Sequence, residues 1–437
     1  MGQKMDSTRD FGSLIREDLS NYGGASNLAF NEKVKALQQE GQEIYHFGFG
    51  QSPFPVPEPF VRHLRDTAGV NDYLSVAGLL ELREEIVEFH REMDGVELCA
   101  DELIVGPGSK ELIYLSMAVW GGEVWLPAPA WTTYQPQASL ARHSARLLSQ
   151  PAHQGWKLRG EDVAGVAGVP GPHLLVLTNP GNPSGCVYTK EELEDLVKVC
   201  REHQVIVLSD EIYARLAYAG DHVCMSRLYP EGTILTTGFS KWASAGGWRL
   251  GYAHYPPPLR ALMLAVLSGA SHTYSCAPAP IQHSVARALR QDKEELRKVM
   301  MGQRVILAAV ARYCQTQLAG VGVCGQVGMA GYYFMPDFSC VRDSMARAGI
   351  TTGQAMCDHM LAQARVALMP SSSFLLSETD LTVRFCYVIF DGRRCLQEYQ
   401  ALGEPACLGD HFVEQFCPEL VRGVSSLCHW VKQWDKQ

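Results

Sequence analysis

Long apolar runs are missing from this 437-residue chain: stretches such as Ala261–Leu267 fall far short of the roughly 20 residues that a membrane-crossing helix needs, which excludes a membrane as partner. Basic runs are missing too. Lys and Arg number 38 against 47 Asp and Glu, a net charge of -9, which excludes a nucleic-acid backbone as partner. Paired cysteines are also lacking. The 14 cysteines stand singly (Cys99, Cys186, Cys200, Cys224 and on), with no CxxC pair and no His spacing for zinc. That pattern excludes a metal framework and points to reduced thiols in the cytoplasm. The first residues, MGQKMDSTRDFGSLIRED, have no apolar core of a signal peptide, and Asp6 stands where a myristoylation motif wants Ser or Thr. With 46% hydrophobic and 19% charged residues, the composition is that of a globular protein long enough for two or three domains.

What the chain does carry lies in short glycine- and proline-rich turns behind strand-like runs. After Thr233–Thr237 comes GFSKWASAGGWRLGY (Gly238–Tyr252), which sets Lys241 in a loop of Ala243, Ser244, Ala245, Gly246 and Gly247. Small neighbours leave an amine room to react with a bulky aldehyde. Ser240 and Arg249 add a hydroxyl and a two-pronged guanidinium, both suited to a phosphate. An amine beside an anion clamp suits pyridoxal 5'-phosphate, which carries an aldehyde and a phosphate.

Other turns offer complementary groups. Leu103–Val105 turns through GPGSK (Gly106–Lys110) into a helix, whose first N–H groups make an anion site from Gly108, Ser109 and Lys110. Val124–Pro127 ends just before Trp131, an indole placed to lie on an aromatic ring. Leu174–Leu177 runs into TNPGNPSG (Thr178–Gly185), where the Asn182 amide can donate to a ring hydroxyl. Val205–Leu208 leads into SDEIY (Ser209–Tyr213). There Asp210 can keep a pyridine nitrogen protonated, and the Tyr213 phenol can reach a ring oxygen. In GFGQSPFP (Gly48–Pro55), Gly50 lets the backbone approach a ligand. Helical spacing over Asn27–Gln39 puts Leu28, Val34 and Leu37 on one side, and Thr189 caps a helix rich in early Glu. Taken singly, each has a plainer role: Lys241 as a surface lysine, Trp131 as core, Asp210 as a helix cap, Tyr73 as loop packing, Arg384 as a solvated strand charge.

The S-K-x7-R segment, the gapless NPGNPSG block, SDEIY and the Y-x4-G-x3-LR pattern of Tyr73–Arg83 stand in the order found in the class I, fold type I, aminotransferases. The chain resembles that family over roughly residues 27–395. The resemblance implies an α/β fold: a large domain with a mainly parallel, seven-stranded-type sheet covered by helices, plus a smaller α+β domain from both chain ends. The expected divisions are an arm (1–26), a first part of the small domain (27–65), a large cofactor-binding domain (66–318) and a C-terminal small domain (319–437). It further implies that Lys241 carries the cofactor aldehyde and acts as base, that Asp210 and Tyr213 tune the ring, that Trp131 stacks on it, and that Arg384 grips the substrate α-carboxylate beside Gly50 and Asn182. Tyr73 would reach the cofactor phosphate of a partner subunit in a homodimer. The G-x-K turn with P-x-W-x2-Y (Pro129–Tyr134) resembles an aspartate and prephenate aminotransferase subgroup, where the lysine, here Lys110, assists a second carboxylate. The expected substrates are therefore an aspartate- or glutamate-type amino acid and a 2-oxo acid. An aromatic or alanine aminotransferase, a lyase resembling aminocyclopropane-carboxylate synthase, and an idle cofactor-binding module remain the rival readings.

Overall fold

The computed structural model describes residue 16 and residues 26–220, 222–326 and 328–434. The expected arm of residues 1–26 lies outside these except for Arg16 and Ser26.

In chain order the strands are β1 (Tyr45–His46), β2 (Leu103–Gly106), β3 (Glu123–Ala128), β4 (Arg146–Ser149), β5 (His173–Thr178), β6 (Ile206–Asp210), β7 (Thr233–Gly238), β8 (Gly251–His254), β9 (Tyr333–Phe334), β10 (Val366–Ala367), β11 (Met369–Pro370) and β12 (Val383–Cys386). Strands β2 to β8 form one sheet in the order β2-β8-β7-β6-β5-β3-β4. Its pairings are parallel except around β8, which runs antiparallel to β2 and β7. Because side chains alternate across a strand, each strand feeds two cores. Val124, Leu126, Leu174, Val176 and Leu208 pack with Leu112 and Val266 from the helices Ser109–Ala118 and Arg260–Thr273. Trp125, Leu175, Leu177 and Val207 pack with Val163, Leu193 and Leu196 from Gly160–Ala167 and Lys190–Glu202. Burial on both faces explains why these strands read as continuous apolar runs.

The expected helix starts and stops follow from local chemistry. Thr189 accepts from the Glu192 amide while the Glu192 side chain reaches back, a capping box that starts Lys190–Glu202. The helical stretch after β8 breaks before Pro278, giving Arg260–Thr273, Ala279–Gln291 and Lys293–Ala319.

Segments from before and after the large sheet pair with each other. β1 runs parallel to β10, and β12 lies antiparallel between β11 and β9. These small sheets bring the Gly48–Pro55 turn and Arg384 to the same side as the carboxyl ends of β5, β6 and β7. Among the described residues, no helix is long and apolar enough to cross a membrane.

Candidate active site

Parallel strands aligned in register end together, so the residues just past their carboxyl ends converge on one crevice. A cavity of about 560 Å³ opens there, lined by Ser109, Lys110, Trp131, Asn182, Asp210, Tyr213, Ser240, Lys241, Arg249 and Arg384, with Gly50 among the segments that close it. Lys241 stands in the loop after β7, and its Nζ donates to the Gly50 carbonyl at 3.3 Å. Tyr332 donates to the Lys241 carbonyl at 3.1 Å, and the hydroxyls of Ser52 and Ser244 meet at 2.6 Å. The lysine loop is thus stapled to segments from both small sheets.

Charge is unbalanced in this cavity. Its described lining holds four cations, Lys110, Lys241, Arg249 and Arg384, against a single acid, Asp210. Arg249 spends its guanidinium on the carbonyls of Gly246 (2.8 Å) and Pro107 (3.0 Å). Lys110 sits 5.0 Å from the centre of the Trp131 ring. Arg384 donates to the Asn182 side-chain oxygen (3.2 Å) and the Gly48 carbonyl (2.8 Å), and its buried Nε has no partner among the described residues. Cations satisfied only by neutral acceptors leave room for incoming anions.

Burial sets the protonation states. Asp210 is buried, which pushes its carboxyl up to about 6, while the Tyr134 hydroxyl and the Ile212 amide pull the other way. For Lys241, burial and then the Arg384 charge push the amine down from 10.5 to about 8. A lowered amine pKa favours the neutral, nucleophilic form. In the cofactor-free protein, the rate of modification of Lys241 by an amine-directed acylating reagent, read by peptide mass mapping, is therefore half-maximal near pH 8. Arg384→Leu moves that midpoint upward; a midpoint that stays near the ordinary lysine value contradicts the buried setting.

Two of the expected site residues sit differently from the rest. Gly108 does not line the cavity. It has φ +93, and a Cβ there would run into the Arg249 guanidinium, so its part is to clear space for that side chain. Tyr73 is 91% exposed and outside the cavity of its own chain. The plainer reading of Arg384 as a solvated strand charge gives way, since all of β12 is buried and Arg384 is 1% exposed. Leu28, expected beside Val34 on an apolar helix face, is instead 46% exposed and lines the cavity mouth.

Some lining residues had no part in the sequence reading. Tyr333 donates toward Gly50 (3.5 Å), meets the Tyr213 hydroxyl at 2.9 Å and lies under the Arg384 guanidinium at 4.8 Å. A Cβ on Gly50 would strike its phenol. The aromatic pair after Gly331 was the available signal. Thr178, read only as the start of a turn, likewise lines the cavity, and Ser244, read only as a small neighbour of Lys241, adds a hydroxyl to it.

Residues 24–389 match the family described as aminotransferase class I and II. The chain belongs to that family. An aspartate aminotransferase of Geobacillus stearothermophilus is 30% identical over 363 residues, covering 80% of this chain and 89% of that one. An aspartate/prephenate aminotransferase of Thermus thermophilus is 28% identical, again over 80% of this chain and 89% of the other. The solved structure of the Thermus thermophilus aspartate aminotransferase with maleate superimposes with a TM-score of 0.78 at 26% identity, covering 89% of this chain and 98% of that chain.

Class I aminotransferases use pyridoxal 5'-phosphate. The cavity fits such a group: a near-neutral amine for an aldehyde, surplus cations and a helix start for a phosphate, an indole for a ring, and a buried acid for a ring nitrogen.

Proposed function

We propose that this chain holds pyridoxal 5'-phosphate in the cavity and moves an amino group between an aspartate- or glutamate-type amino acid and a 2-oxo acid. When bound, the cofactor supplies an aldehyde that takes up the amino group and a ring that draws electrons from the substrate Cα. Backbone N–H groups at the start of Ser109–Ala118, with Ser240 and Arg249, hold the phosphate. Trp131 would stack on the ring, the Asn182 amide and the Tyr213 phenol would serve its oxygen, and Asp210 would serve its nitrogen. The Lys241 amine secures the aldehyde. Its Nζ would also be the base that carries the proton at the substrate Cα. Arg384, which lines the cavity, would take the substrate α-carboxylate through the N–H groups of its guanidinium. Tyr73, exposed here, completes the phosphate site of a second copy in a homodimer, and the scattered thiols suit the cytoplasm.

The observation that carries this reading is the gathering of Lys241, Asp210, Arg249 and Arg384 around one cavity. The dicarboxylic preference rests on Lys110, a half-buried cation at that cavity with no acid of its own among the lining residues save Asp210, and on the aspartate aminotransferases among the relatives. The test is a panel of amino acids and 2-oxo acids with the purified, cofactor-loaded protein. Transfer from aspartate or glutamate is the expected result; release of a leaving group without transfer, or no reaction with any pair, defeats the proposal. Lys110→Ala then raises KM for aspartate by about tenfold, equivalent to about 1.4 kcal/mol, and leaves KM for alanine nearly unchanged. Equal changes for both would remove Lys110 from substrate choice.

A further inference from the structure

The Asp210 carboxylate is held from behind by a tyrosine outside the set of cofactor contacts named above. β5 and β6 pair in a parallel register that sets Thr178 beside Asp210. Tyr134, the first residue of the helix Tyr134–Leu140, reaches over both strand ends. Its hydroxyl donates to Asp210 Oδ2 at 2.7 Å and lies 2.7 Å from Thr178 Oγ1, which is therefore the donor to it. The other carboxylate oxygen accepts only a longer bond, 3.3 Å from the Ile212 amide. Tyr134 is buried, and burial, then the Asp210 charge, keep its phenol protonated across the working pH range. The same ring meets Trp131 edge-on, 5.3 Å between centroids at 84°.

We propose that Tyr134, anchored by Thr178, is a positioning residue that fixes the Asp210 carboxylate as an acceptor aimed into the cavity and squares the Trp131 indole against the bound ring. This rests on the cofactor reading above. A carboxylate free to turn, or to keep a proton for itself, would face a ring nitrogen less well. The phenol removes both freedoms with one hydrogen bond. Thr178 in turn fixes the rotation of that phenol, so the chain of groups runs from the end of β5 through Tyr134 to the end of β6.

The experiment compares wild type with Tyr134→Phe, which keeps the ring and loses the hydroxyl, and with Thr178→Val and Thr178→Ser. The readouts are pyridoxal 5'-phosphate affinity by fluorescence titration of the cofactor-free protein, the pH dependence of the bound cofactor's absorbance, kcat and KM of the loaded enzyme, and thermal unfolding without cofactor. Losing one charge-assisted hydrogen bond predicts that Tyr134→Phe weakens cofactor binding and lowers kcat by about tenfold each, with amino-acid KM within about twofold of wild type. Its absorbance titration shifts while cofactor-free unfolding stays close to wild type. Thr178→Val falls between the two, and Thr178→Ser restores wild-type values. Wild-type affinity and kcat in Tyr134→Phe overturn the inference, as does a loss that Thr178→Ser shares with Thr178→Val. A wild-type protein that takes up no pyridoxal 5'-phosphate overturns the functional reading and this inference together; one that binds it while Tyr134→Phe matches it overturns this inference alone.

Discussion

Lys241→Ala is expected to abolish useful amino transfer, lowering kcat by on the order of 10⁴-fold with every substrate pair, because under the proposed function one side chain supplies both the anchoring amine and the general base. No second group can take over. The other amine of the cavity, Lys110, lies against Trp131, while Lys241 projects toward Gly50. Pyridoxal 5'-phosphate still enters the variant, because Arg249, Ser240 and the helix start are intact, so binding weakens far less than turnover. Two measurements check this: steady-state rates at saturating cofactor, and borohydride trapping followed by mass mapping, which labels position 241 in wild type only. A variant that turns over within tenfold of wild type, or a label found at Lys110 in wild type, removes Lys241 from its role.

Arg384→Ala lowers kcat/KM by about 10³-fold for every 2-amino acid tested, aspartate and alanine alike. The size follows from removing a buried charge that would otherwise meet a carboxylate, a change of about 3–5 kcal/mol in comparable buried pairs. The uniformity follows from the target, because every substrate carries the α-carboxylate. This separates Arg384 from Lys110, whose loss is felt only by substrates with a second acid group. Arg384→Lys recovers little, since the guanidinium here also stacks on Tyr333 and Phe374 at 4.8 and 4.7 Å and holds Asn182 and Gly48. Arg384→Ala also restores some of the basicity of Lys241, because the Arg384 charge depresses it more than any other charge does; Arg384→Lys, which keeps a cation there, does not. The side chain is 1% exposed, so thermal unfolding is measured alongside. Alanine activity that survives Arg384→Ala would mean that another group holds the α-carboxylate.

Much of the site was legible in the sequence because its pieces are local. GPGSK, TNPGNPSG, SDEIY and GFSKWASAGGWR are each a strand end plus a turn, and a turn's backbone is set by the glycines and prolines within it. Once the strands are taken as parallel, their turns must share an edge, so the sequence alone groups Lys241, Asp210, Asn182 and Ser109. The apolar runs of β5 and β6 likewise announced a sheet buried on both faces.

Other features depend on packing between segments far apart in the chain. The bridge from Thr178 through Tyr134 to Asp210 exists because β5 and β6 pair in one register; slipped by a residue, Thr178 would face the other side of the sheet. Nothing in Leu381–Phe385 says that Arg384 is buried rather than solvated, because that is decided by Gly48, Asn182 and Tyr333 closing over it from three other parts of the chain. Leu28 has the spacing of a core residue and yet lines the cavity mouth, because the helix Ser26–Gln39 turns Val34 inward and leaves Leu28 over the opening. The sequence by itself therefore determined which chemical groups the protein carries and the backbone turns that present them, since both depend on neighbours along the chain. Only the tertiary structure decided which charges lose their water, which hydroxyl holds the acid and how the lysine loop is stapled, since these depend on neighbours across space.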